Sequence, residues 1–125
     1  MDDRDVARLL GLTRMAIGGL CTLLPRRAIA VWGADPDPSP SARLAMRGLG
    51  ARDFAIGLGT VVALEGDGNP ARWLEAGALA DAGDAVAALS SWAHLPGAKR
   101  LLWLAGAIGG AALSMRLASA LDESA

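Results

Sequence analysis

Apolar positions fall into four long runs, each closed by proline, glycine or charge. The first extends from about Val6 to Leu24 and stops at Pro25-Arg26-Arg27. The second extends from about Ser41 to Leu64, the third from about Ala71 to Leu95, and the fourth from about Ala98 to Leu121. Between the first two, Pro36, Pro38 and Pro40 rule out regular structure, and Ser41 is placed to cap the second helix. Glu65-Gly66-Asp67-Gly68-Asn69-Pro70 is a turn cluster, with Asn69 as a helix N-cap and Pro70 at the first helical position. Pro96-Gly97 closes the third run. The pattern predicts an all-α chain, a single domain over 1–125 with helices at about 6–24, 41–64, 71–95 and 98–121. Short connections make neighbouring helices antiparallel.

Helices of about 20 residues, rising 1.5 Å each, match a bilayer core of about 30 Å. Three features favour lipid over water. Leu101–Met115 is apolar on every side of its helix. Trp32, Trp73, Trp92 and Trp103 all lie near predicted helix ends, as an interfacial belt requires. Small residues recur at close-packing spacing, and Gly106 and Gly110 are expected at a tight helix contact. The expected fold is therefore a four-helix antiparallel transmembrane bundle, multi-pass in the cell membrane. The alternative is a soluble alanine-rich bundle with its charges in water. The opening residues Met1 to Asp5 are acidic, and no cleavable signal is expected. Arg26, Arg27, Arg43, Lys99 and Arg100 outnumber Arg4, Arg8, Arg72 and Arg116 at the opposite end. The positive-inside bias then places both termini outside the cytoplasm.

Composition removes several classes. Tyr is absent, Phe occurs once, and aromatic residues make up 4% of a chain that is 53% hydrophobic, which argues against a sheet protein. A net charge of −1 offers no basic face to nucleic acid. Cys21 alone excludes an intrachain disulfide, and with His94 it cannot build a four-ligand metal site. No nucleotide loop, haem motif or Ser/His/Asp set occurs, so no cofactor is expected. Cys21 reads as a small apolar filler and His94 as a solvated loop residue.

The first two helices share a phrase. Gly11-Leu-Thr-Arg14-Met-Ala-Ile-Gly18 parallels Gly50-Ala-Arg-Asp53-Phe-Ala-Ile-Gly57. In each, two glycines and a charged residue occupy one helical face, so a partner backbone can approach the charge. The third helix adds Asp81 and Asp84, three apart and on one face. Arg14, Asp53, Asp81 and Asp84 all fall near helix middles, with Arg47 and Arg52 within two turns of Asp53. An isolated charge at the bilayer centre costs at least about 2.5–3.5 kcal/mol, so such groups turn inward and pair. Arg14, Arg47 and Arg52 balance Asp53, Asp81 and Asp84. Glu75, nearer its helix start, is expected at the interface, and Arg116 is expected to snorkel.

The stretch Arg47-Gly-Leu-Gly-Ala-Arg-Asp-Phe-Ala-Ile-Gly57, with Leu79-Ala-Asp81-Ala-Gly-Asp84 after it, resembles a family of small four-helix bacterial membrane proteins of unknown function that is common in high-GC actinobacteria. The resemblance covers most of the chain, including an opening helix that ends in Pro-Arg-Arg. It implies the fold and the membrane location and no reaction.

Two functions fit these residues. One is a membrane protein that binds a lipophilic small molecule or a membrane partner through a buried Arg/Asp site, with Arg14, Arg47 and Arg52 as ligand-binding residues. The other is a cofactor-independent membrane enzyme, an isomerase, cyclase or epoxide-opening catalyst acting on a lipophilic substrate. There Asp81 and Asp84, with Asp53, are the catalytic carboxylates, one holding a proton as acid and one kept ionised by arginine as base. Proton-coupled transport through the acidic pair is a third reading, and it would require a homo-oligomer to complete a pathway.

Overall fold

The structure, a computed structural model, describes residues 1–32, 37–95, 97 and 99–123. The loop residues Gly33 to Pro36 and the expected stop at Pro96 lie outside them. Among the described residues the chain is all-helical and has no strand. The helices are α1 (Asp3–Leu23), α2 (Pro25–Val31), α3 (Pro40–Glu65), α4 (Pro70–Ser90) and α5 (Lys99–Glu123). A single 3-10 turn at Trp92–His94 lies between α4 and α5.

α1, α3 and α4 each begin where local chemistry satisfies free amides. Asp2 accepts from the Asp5 amide at 2.9 Å, while the Asp5 carboxylate accepts from the Asp2 amide at 3.2 Å, a reciprocal capping box. Asn69 accepts from the Ala71 amide at 2.9 Å, with Pro70 first in α4. The cap of α3 is Ser39, not Ser41: its hydroxyl accepts from the Ala42 amide at 3.1 Å, and Pro40 takes the first helical position.

The expectation of four helices is corrected by α2. Pro25 does end α1, but a proline with no amide hydrogen to lose is also well suited to start a helix, and here it starts one. α2 buries Pro25, Ala28 and Ile29 and leaves Arg26 and Arg27 outside. The third run also ends sooner than its apolar pattern suggests. α4 stops at Ser90, and Trp92 to His94 form the 3-10 turn.

α1 lies antiparallel along α3, with Gly11 opposite Gly57 and Gly18 opposite Gly50. α4 and α5 form the second closely packed pair. At the end carrying the N-terminus, Asp3 of α1 pairs with Arg116 of α5 at 3.1 Å. Ala7, Leu64, Ala71, Leu74, Leu117 and Leu121 form an apolar core there. Elsewhere the interior is built largely from alanine and glycine, including Gly50, Gly57, Gly77, Ala78, Ala85 and Ala88. Large apolar side chains point outward: Leu79 is 76% exposed and Leu102 70%. Among the described residues two helices, α1 and α5, are long and apolar enough to cross a membrane, and only 28% and 17% of their most apolar stretches is buried.

Gly106 departs from expectation. Among the described residues nothing lies within 4 Å of where its Cβ would stand, whereas a Cβ on Gly110 would be 2.5 Å from the Asp81 carboxylate. The bulk that Gly110 excludes is a charged side chain rather than a helix backbone.

Candidate functional site

Arg14 projects from the middle of α1 and reaches all three other long helices. Its guanidinium grips both carboxylate oxygens of Asp81 on α4, through Nη1 to Oδ1 at 3.2 Å and through Nη2 to Oδ2. Nη1 also lies 3.8 Å from Oδ1 of Asp53 on α3. Nη2 donates to the Ser114 hydroxyl of α5 at 3.4 Å. Arg14 and Asp81 are each only 9% exposed. The approach depends on missing side chains, because a Cβ on Gly77 would stand 3.1 Å from Nη2 of Arg14.

Arg52 forms the second half of the group. It holds Asp84 in a fork, Nη1 to Oδ1 at 2.9 Å and Nη2 to Oδ2 at 2.7 Å. Its Nε and Nη2 also donate to Oδ1 of Asp53, at 3.2 and 3.0 Å. Asp53 thus bridges the two arginines through a single oxygen. Asp81 and Asp84 share a face of α4, yet each is held by a different guanidinium.

Asp53, Asp81, Asp84, Arg14 and Arg52 are therefore brought together, and Arg47 is not. Arg47 is exposed and donates through Nη1 to the Thr22 carbonyl at 2.6 Å, tying α3 to the end of α1. The group comprises two guanidinium ions and three carboxylates. Outside it, Glu75 pairs with Arg72 at 3.1 Å, both near the start of α4. His94 is exposed.

The charged group forms one wall of a cleft of about 290 Å³, partly open to the outside. The rest of the lining is chiefly apolar, including Ile17 of α1, Met46 and Leu49 of α3, and Leu102 and Ala107 of α5. Gly106 and the buried Cys21 also border it. Trp32 and Trp103 line it as well, with ring centroids 4.6 Å apart and planes at 48°. Arg100 sits 4.9 Å over the ring of Trp92, a cation–π contact in the same stretch of chain.

Ser114 and the Trp32/Trp103 pair were not anticipated as parts of this site. Ser114 carried a usable signal: it is the single hydroxyl in the apolar run Leu101–Met115. Among the described residues, no group of three or more His, Cys, Asp or Glu is arranged to hold a metal ion. Comparison with protein-family models, curated proteins and solved structures finds no match to this chain.

Proposed function

We propose that this chain is a multi-pass integral membrane protein, a four-helix transmembrane bundle with α2 as a short accessory helix, whose cleft binds a lipophilic small molecule. The observation that carries the reading is the cleft of about 290 Å³, apolar along most of its lining and closed on one side by the Arg14/Arg52 carboxylate group. A few fixed polar groups in an otherwise apolar cavity are the usual makeup of a small-molecule site.

The membrane part rests on how side chains are distributed. In water, leucine and valine go inside, and charges stay out. Here Leu79 is exposed while Asp81, two residues away, is buried, and alanine and glycine pack the helix contacts. That arrangement suits a solvent as apolar as leucine, where close packing and internal polar contacts hold helices together. The interior charges of α3 and α4 face one another, so these helices can cross with α1 and α5. Arg26, Arg27, Arg43, Lys99 and Arg100 mark the cytoplasmic end, which leaves both termini on the far side. The resemblance to bacterial membrane proteins supports the same location.

A second reading, acid/base catalysis on a lipophilic substrate, is favoured by one observation. Asp53 borders the cleft, and every hydrogen bond it accepts falls on Oδ1. Its Oδ2 is the carboxylate oxygen best placed to take a proton from a bound molecule. Asp81 and Asp84 are each engaged through both oxygens.

Native mass spectrometry of the protein released from its host membrane tests the binding reading. The wild type should retain a small apolar molecule that Gly106→Trp, which fills the cleft, releases. A bare wild-type mass, or a bound mass unaffected by Gly106→Trp, would contradict it.

A further inference from the structure

The charge within the cleft is not balanced. Arg14 and Arg52 face Asp53, Asp81 and Asp84, and Arg47, which would have evened the count, is drawn away to the Thr22 carbonyl. One negative charge is left over when all five groups are ionised. It can be located. Asp81 and Asp84 each place both oxygens on a guanidinium, whereas Asp53 shares one oxygen with two arginines already committed elsewhere. Oδ2 of Asp53 accepts no hydrogen bond from the described residues. No buried side-chain oxygen or nitrogen among them lacks a partner, so Oδ2 is not sealed in the interior. The Asp53 side chain is 23% exposed and borders the cleft.

We infer that the cleft selects a lipophilic organic monocation, an aliphatic or aryl-alkyl ammonium whose charged head sits on Oδ2 of Asp53 and whose apolar body lies along α1, α3 and α5 toward Trp32 and Trp103. This rests on the small-molecule reading above and adds the charge of the ligand. Three features select that chemistry. The surplus charge is a single negative one, and an ion pair in a poorly hydrated cleft has little water to compete with it. Both arginines are already bonded to carboxylates, so an anionic head would meet no free guanidinium fork. Apart from Thr13, whose hydroxyl donates to the Leu9 carbonyl, the remaining lining is apolar and aromatic, which suits an organic cation rather than a hydrated metal ion.

The test uses three probes of one shape: phenylbutylamine, phenylbutanol and phenylbutanoate. Each is titrated into the purified chain in nanodiscs of zwitterionic lipid, with empty nanodiscs as blank, and binding is read from tryptophan fluorescence. The amine should bind at least about tenfold more tightly than the alcohol, with the acid weakest. In Asp53→Asn the amine should fall to the affinity of the alcohol, while the alcohol itself is unchanged. An alcohol or acid that binds as well as the amine would overturn the cation assignment and leave a lipophilic cleft. An amine preference that survives in folded Asp53→Asn would overturn Asp53 as its seat. If none of the three binds, and Gly106→Leu gives the same traces as wild type, the small-molecule reading itself fails. The wild-type comparison of probes needs no variant, so it decides even if Asp53→Asn does not fold.

Discussion

Gly18 of α1 and Gly50 of α3 face each other reciprocally: a Cβ on either would stand 2.5 Å from the carbonyl oxygen of the other. Gly11 and Gly57 repeat the relationship further along the same pair of helices, a Cβ on Gly11 falling 3.0 Å from the Gly57 carbonyl. The two copies of the phrase shared by α1 and α3 are thus packed against one another in opposite directions. Their glycines set the spacing at which Arg14 comes within 3.8 Å of Asp53.

A side chain at these positions should push the helices apart. Gly50→Ala gains about 1 kcal/mol of intrinsic helix preference. It nevertheless should lose about 1–3 kcal/mol net, because the obstacle is backbone and cannot rotate away. Gly83→Ala is the control: among the described residues nothing lies within 4 Å of its Cβ site, and it should be neutral or slightly stabilising. Thermal unfolding of both variants in one detergent decides. Equal midpoints would mean that α1 and α3 do not touch at Gly50.

Arg14 should behave as a partner that several groups depend on. Arg14→Leu leaves Asp81 buried and unpaired, and removing one member of a buried ion pair costs about 3–5 kcal/mol. Arg14→Leu combined with Asp81→Leu should recover much of that loss, since no orphaned charge remains at that position. A double variant whose loss equals the sum of the two singles would show that the groups act independently.

Arg47 and Arg52 lie five positions apart on α3, but their replacements should differ. Arg47→Ala removes one exposed bond to a carbonyl and should cost about 1 kcal/mol. Arg52→Ala frees Asp84 and removes both hydrogen bonds that Asp53 accepts from Arg52, and should cost clearly more. Chemical unfolding of the two variants side by side gives the comparison, and a larger loss for Arg47→Ala would contradict the grouping.

Much of this arrangement could be read in the chain. Glycines flanking Arg14 and Asp53 at one-turn spacing announce that another backbone must come close there. Charges at mid-helix in an apolar sequence have to turn inward, wherever their partners are. What the chain does not encode locally is how each helix is rotated against its neighbours. The stretch Leu101–Met115 of α5 is apolar on all sides except at Ser114, one turn from Gly110, so that hydroxyl alone marked the face on which Gly110 meets Asp81 while Gly106 stands open. Arg47 escaped because a long, flexible side chain can satisfy itself on a nearby carbonyl as readily as on a carboxylate. α2 escaped because Pro25 signals the end of one helix and the start of another with the same residue.

In the proposed membrane placement the apolar exterior meets lipid while the charges meet one another inside. A nitroxide at Leu79→Cys, in a Cys21→Ser background reconstituted into bilayers, tests it most directly. Leu79 is 76% exposed near the middle of α4, two residues from the buried Asp81. Relaxation should be enhanced by oxygen, which concentrates in hydrocarbon, and hardly at all by a water-soluble nickel chelate. Strong relaxation by the nickel chelate with little effect of oxygen would place that face in water and rule out a membrane-spanning α4.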